Sequence, residues 1–225
     1  MISSGDVRAT GEDFLAALRQ GDRRTAFRIV DDALDTGTDL RGVYIDIVQP
    51  ALQEIGRLWQ ENELTVAEEH LATAIVQVAM SRTFERLFVW RDSRTPLLIA
   101  ACADEERHQI GLRMLCDLLE MEGWETTYLG ASVPIESLVD IVRKHQPDAV
   151  AISATIAPHI PRVRDAVAAI RAADLPKQPV VAVGGRAFLA DPSLAVRVGA
   201  DLTASDASNA ARMLHEKLGR GPRSA

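Results

Sequence analysis

The chain has 225 residues, of which 47% are hydrophobic, and a formal net charge of −7. This acidic balance argues against direct nucleic-acid binding, because phosphate groups are bound by clusters of Lys and Arg. The N-terminal sequence lacks the basic segment and apolar core of a signal peptide, and no apolar run reaches transmembrane length, so we expect a soluble, cytoplasmic protein without a membrane contact.

The first part of the chain has the apolar spacing of helices throughout. The predicted helices span, in chain order, 13–21, 22–37, 39–62 and 65–90. Pro50 lies inside the third helix, where we expect a kink or a stagger. Thr65 and Glu68 have the spacing of a capping box at the start of the fourth. Short connections predict a four-helix-bundle cap domain over residues 1–91, followed by a linker at 91–96.

From Pro96 the pattern changes to short apolar runs separated by helical stretches. The predicted strands are 97–102, 125–130, 149–155, 180–185 and 201–205. The predicted helices are 111–122, 135–145, 161–173, about 187–197 and 206–218. This alternation predicts a five-stranded parallel sheet with helices on both faces, in a flavodoxin-like order with a switch point beside the first strand. Residues 96–220 are therefore expected to form a Rossmann-like α/β domain after the all-α cap.

The residues at the strand ends exclude two common protein classes with this architecture. A phosphoacceptor receiver needs acids after the first strand, an aspartate closing the third and a lysine closing the fifth. Asp104 and Glu105 supply the acids, but the third strand closes with AISAT and the fifth with DLTAS. The G-x-G-x-x-G and P-loop motifs of nucleotide-binding folds are also absent from the sequence.

Three elements typical of a ligand site follow the first, third and fourth predicted strands. They are Glu106-x-His108-x-x-Gly111, Ser153 with Thr155, and Gly184-Gly185. In this order the chain resembles the cobalamin-binding domain family, whose marks are Asp-x-His-x-x-Gly, a Ser-x-Leu/Thr element and a Gly-Gly pair. The helical half is similar to the cap that precedes this domain in methionine synthases, corrinoid carriers and cobalamin-dependent light sensors. The resemblance covers nearly the whole chain.

The resemblance implies a role for each element. In the family the histidine displaces the cofactor's own benzimidazole and ligates cobalt from below, so His108 is the expected lower axial ligand. A ligating histidine needs an acceptor for its second ring nitrogen, and Glu106 stands where the family has an aspartate. Gly111 leaves room for the displaced nucleotide tail at the start of a helix. The other residues expected along the tail are Ser153, Thr155, Gly184 and Gly185.

The predicted cofactor-binding set also includes the neighbours of His108 in its loop. These are Asp104, Glu105, Arg107, Gln109 and Ile110. The three charged residues among them are equally typical of a solvated face. We assign no role to His145, His159 and His215, because no partner pattern surrounds them.

The helical cap carries a second pattern, in which Trp59 is followed, after nine residues, by Glu69-His70. In the light-sensing branch, which regulates carotenoid genes through adenosylcobalamin, this pattern covers the upper face of the corrin. There the indole packs against the adenosyl group and the Glu-His pair hydrogen-bonds to it, so the resemblance implies an upper wall of Trp59, Val66, Glu69 and His70. The alternative is that Trp59 belongs to the cap's core and Glu69-His70 is a charged helix N-terminus.

Two departures from the light-sensing branch affect how we expect a light signal to be passed on. Its repressors carry a helix-turn-helix module before the cap, which we do not expect here because only about ten residues precede the first predicted helix. They also have a histidine after the tryptophan, where this chain has Gln60. We therefore expect signal output through a protein partner or a homo-oligomer. Related sensors hold a bilin such as biliverdin beside cobalamin, and a bilin stays open as a second chromophore. Its thioether attachment is not expected, since Cys102 and Cys116 have buried patterns.

Three other functions were weighed against the sensor. A corrinoid methyl-carrier protein is the leading enzymatic alternative, but such carriers have His-Asp-Ile-Gly-Lys where this chain has His-Gln-Ile-Gly-Leu from His108 to Leu112. A mutase subunit fits less well, because the substrate barrel is missing from the sequence. A haem-binding sensor on the same fold often keeps the histidine, and only the pigment would distinguish it. The sequence therefore favours a cobalamin light sensor rather than an enzyme.

Overall fold

A computed structural model describes residues 4–83 and 95–219, with side chains from residue 10 onward. The chain divides into a helical unit, Met1–Arg86, and an α/β unit, Leu87–Ala225. The end of the fourth predicted helix and most of the predicted linker fall on residues 84–94, outside the described ranges. The linker boundaries therefore stay a prediction. Within the described ranges, no helix combines the length and apolar composition needed to cross a bilayer.

The helical unit has the predicted succession of helices. Its elements are α1 (Ser4–Gln20), α2 (Arg23–Asp35), α3 (Leu40–Gly42), a π-helical segment (Val43–Val48), α4 (Gln49–Gln60) and α5 (Val66–Arg82). The apolar positions set by helical spacing form the core, and the largest side chains there are Phe14, Leu18, Tyr44, Ile47 and Ile55. The Asp22 carboxylate accepts hydrogen bonds from the N–H groups of Arg24 and Thr25, both at 3.1 Å, so α2 begins directly after α1 ends.

The stagger expected at Pro50 is present as the π-helical segment just before it. Proline has no N–H and its ring crowds the carbonyl four residues earlier, which here belongs to Asp46. The backbone widens to π geometry over Val43–Val48, and the Gln49 N–H donates to the Tyr44 carbonyl five residues back. Pro50 then lies in the first turn of α4, a position where the missing N–H of a proline costs a helix little stability. The helix therefore passes Pro50 without ending.

The predicted capping box at the start of α5 is present. The Thr65 Oγ1 accepts a hydrogen bond from the Glu68 N–H at 3.2 Å, and Glu68 Oε2 accepts one from the Thr65 N–H at 2.7 Å. Thr65→Ala should lower the free energy of unfolding of the helical unit by about 1 kcal/mol, because one helix-end N–H loses its acceptor. Thermal and urea unfolding followed at 222 nm measures the change, with the exposed Glu63→Ala as control. Equal stability of the two variants would contradict the assignment.

The α/β unit contains, among the described residues, one five-stranded parallel sheet. Its strands are β1 (Leu97–Cys102), β2 (Glu125–Gly130), β3 (Ala149–Ser153), β4 (Val180–Gly184) and β5 (Leu202–Thr203). Its helices are α6 (Ile110–Met121), α7 (Ile135–His145), α8 (Ile160–Ala172), α9 (Arg186–Ala190), α10 (Ser193–Arg197) and α11 (Ala207–Lys217). The strand order β2-β1-β3-β4-β5 is the predicted flavodoxin-like order. The switch point therefore lies between β1 and β3.

Two apolar layers cover the sheet, one on each face. Ile99 and Ala101 of β1 belong to the layer that contains Val142 of α7 and Val163 of α8. The other face carries Leu98, Ala100 and Cys102 with apolar residues of α6 and α11, namely Leu112, Leu119 and Leu214. Because β1 and β3 are buried on both faces, they are continuous apolar runs rather than alternating ones.

Three predicted elements of the α/β unit differ from expectation by two residues or more. The third strand, predicted over 149–155, ends at Ser153. The single helix expected near 187–197 is interrupted at Asp191, which has φ −143° and ψ 90°. Pro192 follows, and the residue before a proline is disfavoured in helical geometry. The Asp191 Oδ1 accepts hydrogen bonds from Ser193 N (3.1 Å) and Oγ (2.6 Å), which starts α10 as a separate helix. The fifth strand, predicted over 201–205, is reduced to Leu202–Thr203.

Both cysteines are buried, as their patterns predicted. Cys102 closes β1 and Cys116 lies on α6. Burial raises the pKa of the Cys102 thiol to about 12, with a smaller contribution from the negative charge of Glu106. Burial also raises the pKa of Cys116. Both thiols are therefore protonated and poorly nucleophilic at neutral pH.

Candidate functional site

The carboxyl ends of β1, β3 and β4 lie side by side and bring the predicted motif residues to one edge of the sheet. Ser153 at the end of β3 pairs with Cys102 on one side and Gly184 on the other. The pairing continues past the strands, because the Ala103 N–H donates to the Ser153 carbonyl at 3.0 Å and the Ala154 N–H to the Gly184 carbonyl at 2.9 Å. The loops that follow therefore start from a fixed frame at the switch point.

Glu106 is the centre of this site, and its side chain has no exposed surface. Its Oε1 accepts hydrogen bonds from the His108 backbone N–H at 2.8 Å and from His108 Nδ1 at 2.5 Å. Its Oε2 accepts from the Thr155 N–H at 2.6 Å and from His159 Nδ1 at 3.0 Å. Each carboxylate oxygen thus has two nitrogen donors, which is the condition for burying a carboxylate without an unsatisfied acceptor.

These donors determine the charge of Glu106. Burial by itself would raise its pKa, since an isolated carboxylate is poorly stabilised away from water. Hydrogen bonds from the His108 side chain and backbone, the Thr155 backbone and the His159 side chain reverse that effect and hold the Glu106 pKa well below its usual range. Glu106 is therefore ionised throughout the neutral pH range.

The ionised carboxylate fixes the tautomer and direction of His108. A carboxylate only accepts hydrogen bonds, so His108 Nδ1 carries a proton, and in the neutral ring the lone pair is then on Nε2. The Nδ1 side of the ring faces the buried carboxylate, while 49% of the side chain is exposed. A neutral imidazole held by a carboxylate at one nitrogen is the arrangement by which proteins present the other nitrogen to a metal.

His159, to which the sequence assigned nothing, belongs to this site. It ends the 3₁₀ turn Ala157–His159 and directly precedes α8, and only 13% of its side chain is exposed. Its Nδ1 reaches Glu106 Oε2 across 53 positions of sequence. The weak signal that the sequence did offer is position: His159 follows Thr155 by four residues in a loop at the same sheet edge. The other two unassigned histidines lie elsewhere, His145 exposed at the end of α7 and His215 buried on α11.

The loop that carries His108 is fixed to the loop after β2 at two residues in left-handed geometry. Glu105 has φ 67° and Ser132 has φ 51°. The Glu105 N–H donates to Ser132 Oγ at 3.1 Å and to Asp104 Oδ1 at 3.0 Å, and the Ser132 N–H donates to the Glu106 carbonyl at 2.9 Å. Non-glycine residues rarely adopt this geometry, and they do so mainly where the surrounding contacts fix the backbone at a functional site. Asp104 therefore has a local role, as a hydrogen-bond acceptor for the loop.

The two glycines at the end of β4 have opposite surroundings. Gly185 has φ 101° and ψ 169°, and a Cβ there would lie 2.3 Å from the Ala154 carbonyl oxygen. Only glycine tolerates both conditions. At Gly184, in contrast, a Cβ would meet nothing within 4 Å, and the same is true of Gly111 in the first turn of α6. Gly185 is thus required by the backbone, whereas Gly184 and Gly111 leave open space at the site.

The other predicted residues of the loop have distinct environments. Arg107 is exposed, and Ile110 is buried at the start of α6. The Gln109 Oε1 accepts a hydrogen bond from the Tyr128 hydroxyl at 2.9 Å. Ser153 is buried at the end of β3. Of the predicted tail residues, Thr155 contacts the Glu106–His108 pair directly through its N–H.

In the helical unit the predicted upper-wall residues lie at the α4–α5 connection. Trp59 is next to the last residue of α4 and is 38% exposed, so it is not a core residue. Val66 is exposed in the first turn of α5. Glu69 Oε2 lies 2.5 Å from His70 Nδ1, and Glu69 Oε1 accepts a hydrogen bond from Thr73 Oγ1 at 2.9 Å. Glu69-His70 is thus a formed pair near a helix N-terminus, with exposed apolar side chains beside it.

Comparison with known proteins adds the following. The family model described as "B12 binding domain" matches residues 96–213, and a second model with the same description matches residues 11–83. The HTH-type transcriptional repressor CarH of Myxococcus xanthus is 30% identical over 176 residues, which cover 78% of this chain and 57% of the repressor. Dimethylamine corrinoid protein 1 of Methanosarcina acetivorans is 26% identical over 126 residues, which cover 56% of this chain and 58% of the corrinoid protein.

A solved structure, the Methanosarcina barkeri monomethylamine corrinoid protein, superposes with a TM-score of 0.82. The superposition covers 93% of this chain and 98% of the other at 19% identity, which establishes the fold. The chain spans less than two thirds of the length of either of the two sequence relatives above.

Proposed function

Because the chain belongs to the B12 binding domain family, we propose that it is a cobalamin-dependent light sensor with His108 as the lower axial ligand of cobalt. One observation carries the proposal: a fully buried, ionised Glu106 holds the Nδ1 side of a half-exposed His108. A carboxylate–histidine pair of this kind sets the tautomer and raises the basicity of the ligating nitrogen. The identity with a transcriptional repressor supports a regulatory output rather than a catalytic one.

The site residues fit a corrinoid in two further respects. Gly111 and Gly184 leave space where any side chain would intrude, as a flat macrocycle with a long nucleotide tail requires. Ser153 and Thr155 place hydroxyl groups at the same strand end, where they can hydrogen-bond a base or sugar of that tail. The charged loop residues Asp104, Glu105 and Arg107 are proposed to face the polar rim of the ligand.

The upper ligand is proposed to be adenosyl. Adenosylcobalamin, when bound, supplies a cobalt–carbon bond that light cleaves. Trp59, which is large and 38% exposed, would pack against the adenosyl group, and Val66 would add apolar contact. The Glu69–His70 pair would supply the hydrogen-bonding groups. Loss of the adenosyl group would remove the packing partner of the indole, and the helical unit would then repack to fill the space. The response is proposed to reach a protein partner or a second copy of the chain.

The experiment that tests this proposal combines spectroscopy with hydrodynamics. The full chain is loaded with adenosylcobalamin in the dark, and its absorption spectrum and elution volume are recorded before and after green illumination. The expected result is a His-ligated dark spectrum that converts to the spectrum of a cobalamin without the cobalt–carbon bond, together with a shift in elution volume. A protein that takes up no corrinoid contradicts the proposal. An additional long-wavelength band after supply of biliverdin would identify a bilin as second chromophore.

A corrinoid methyl-carrier is the second candidate, and the 26% identity with dimethylamine corrinoid protein 1 favours it. Gln109 argues against it, since this position carries an acid in the carriers that the loop resembles and here binds the Tyr128 hydroxyl instead. The same experiment, repeated with methylcobalamin, distinguishes the two functions. A carrier would retain methylcobalamin in preference to adenosylcobalamin, and illumination would leave its elution volume unchanged.

Trp59→Ala should separate cofactor binding from the light response. The indole is proposed to contact only the upper ligand, so the variant should bind adenosylcobalamin within a few-fold of wild type, at a cost of about 1 kcal/mol or less. The light-induced change in elution volume should be lost, because no bulky side chain remains to repack. Val78→Ala, which shortens another exposed apolar side chain of the helical unit, is the matched control. A full light response in the Trp59 variant would refute the role of the indole.

A further inference from the structure

We propose that helix α2 is the surface through which the chain binds a second copy of itself, in an antiparallel pair of helices. The surface is a row of four charged residues, Arg24, Arg28, Asp31 and Asp35, which we call the α2 stripe. Their spacing of four, three and four residues places all four on one side of the helix. Self-association through this stripe would need neither cobalamin nor light.

The α2 stripe lies on the solvent side of the helix. Arg24, Arg28 and Asp35 are exposed, and 38% of the Asp31 side chain is accessible. The buried residues of the helix are on the opposite side: Ala26, Val30 and Ala33. α2 therefore packs into the helical unit with one face and carries the stripe on the other.

The order of the charges in α2 is the reverse of the one that a single helix favours. Beyond the capping Asp22, the first turn has no acid and the last turn has no base, whereas the helix dipole favours acids first and bases last. Asp31 contacts Arg82 of α5 at 2.8 Å. Among the described residues, no carboxylate lies within ion-pair distance of Arg24 or Arg28. The basic half of the stripe is thus matched to an acidic surface on another molecule.

The α2 stripe is complementary to itself when the second copy runs in the opposite direction. With a two-fold axis at the middle of the stripe, Arg24 faces Asp35 of the second copy and Arg28 faces its Asp31. The symmetry repeats both contacts, so each charge of the stripe meets an opposite charge. A parallel pair would instead place arginine against arginine and aspartate against aspartate. The charge order therefore specifies both a second copy and its direction.

Two half-buried apolar residues, Phe27 and Leu34, flank the stripe on one side. They are seven residues apart, so in the antiparallel pair Phe27 of one copy lies beside Leu34 of the other. The Arg82 guanidinium stacks on the Phe27 ring at 5.2 Å from its centre. One pair of helices of this length, about 20 Å, buries less area than the roughly 1,600 Å² of a standard interface. We therefore expect a weak dimer that depends on salt concentration.

The test measures self-association of the full chain by sedimentation velocity, without cofactor and in the dark, over a concentration series up to the millimolar range. One variant makes the whole stripe acidic, with Arg24→Asp and Arg28→Asp. A second variant makes it basic, with Asp31→Arg and Asp35→Arg. A third carries all four changes and so restores complementarity with the order reversed.

A matched control changes the net charge by the same amount as the acidic variant but away from α2. It carries Arg164→Asp and Arg212→Asp, at exposed positions on α8 and α11. Far-UV circular dichroism of every variant shows whether the helices are intact. The stripe residues are at least one-third exposed, so all variants are expected to fold.

Wild type should dimerise reversibly, and added NaCl should weaken the dimer, because salt screens exposed charges. The acidic variant and the basic variant should each self-associate about 100-fold more weakly or worse, since like charges then face each other. An equimolar mixture of the two should form heterodimers. The variant with all four changes should dimerise like wild type, and so should the control.

Four results would overturn the proposal. A wild type that stays monomeric throughout the series would leave the stripe to a different partner. A dimer that persists in both the acidic and the basic variant would place the interface elsewhere. A mixture of these two variants that does not associate would contradict the antiparallel pairing. Equal losses in the control and the acidic variant would show an effect of net charge alone. Cobalamin binding is tested separately, since no cofactor is present in these measurements.

Discussion

His108→Ala should weaken adenosylcobalamin binding by roughly 100-fold or more, because removal of the metal ligand exceeds the 10- to 100-fold cost typical of its orienting partners. The substitution also removes the donor for Glu106 Oε1 that comes from the ring, while the backbone N–H of residue 108 remains at 2.8 Å. Glu106 Oε1 therefore keeps one hydrogen-bond donor, and we expect the protein to fold. Any cofactor that still binds should show the spectrum of a base-on, loosely held form.

Absorption titration and equilibrium dialysis in the dark measure this effect, with His145→Ala as the matched control. Free imidazole added to the His108→Ala protein should restore a nitrogen-ligated spectrum, because the space of the missing ring lies beside Glu106. An unchanged spectrum and affinity in the variant would show that another group ligates cobalt. That result would remove the central part of the proposed site.

Gly185→Ala should destabilise the α/β unit by about 3 kcal/mol or more. The added Cβ would have to lie 2.3 Å from the Ala154 oxygen and 2.7 Å from its carbonyl carbon, on a backbone with φ 101°. The clash is with backbone, so no side-chain rotation relieves it. Moving Ala154 would also disturb its hydrogen bond to the Gly184 carbonyl and the Thr155 N–H next in sequence, which binds Glu106.

The neighbouring substitution Gly184→Ala is the matched control and a second test of the site. Its Cβ enters open space, so unfolding by urea should be close to wild type. If the space belongs to the nucleotide tail, the same methyl group should lower cobalamin affinity. Equal stability of the two alanine variants would contradict the backbone argument. Equal cobalamin affinity of Gly184→Ala and wild type would place the tail elsewhere.

Those parts of the fold that depend on local chemistry were predictable from sequence. The capping box at Thr65 needs only two residues three apart, and the strand order follows from alternating strands and helices with short crossovers. The Glu106–His108 contact is also local, since two residues in one loop determine it. Gly184 and Gly185 were predicted together, but only the structure separates a glycine needed for its conformation from one that leaves space.

Contacts between residues of distant loops could not be predicted from the sequence. His159 reaches Glu106 only because β1 and β3 are neighbours and a 3₁₀ turn reverses the chain after β3. A histidine with no periodic partner gives no sign of such a contact. The hydrogen bond between the Glu105 N–H and Ser132 Oγ likewise joins two different loops, and both residues have left-handed backbone conformations. The break at Asp191 is different, because it was predictable from the sequence. A proline at position 192 disfavours helical geometry at Asp191, although the apolar spacing of 187–197 is that of one helix.

The π-helical segment at Val43–Val48 sets the direction of Trp59 from more than ten positions away. A π turn accommodates one residue more than an α turn, and each residue of an α-helix advances the chain by about 100° around the axis. If the segment closed to regular α geometry without losing a residue, each of its six residues would turn the chain further, and the face that carries Trp59 would rotate by roughly 100°. Deleting one residue at the same time would nearly cancel this rotation, because a π turn holds one residue more than an α turn. The direction of the indole therefore depends on the π geometry upstream of Pro50, and changes that remove this geometry without a deletion should alter the ligand response most.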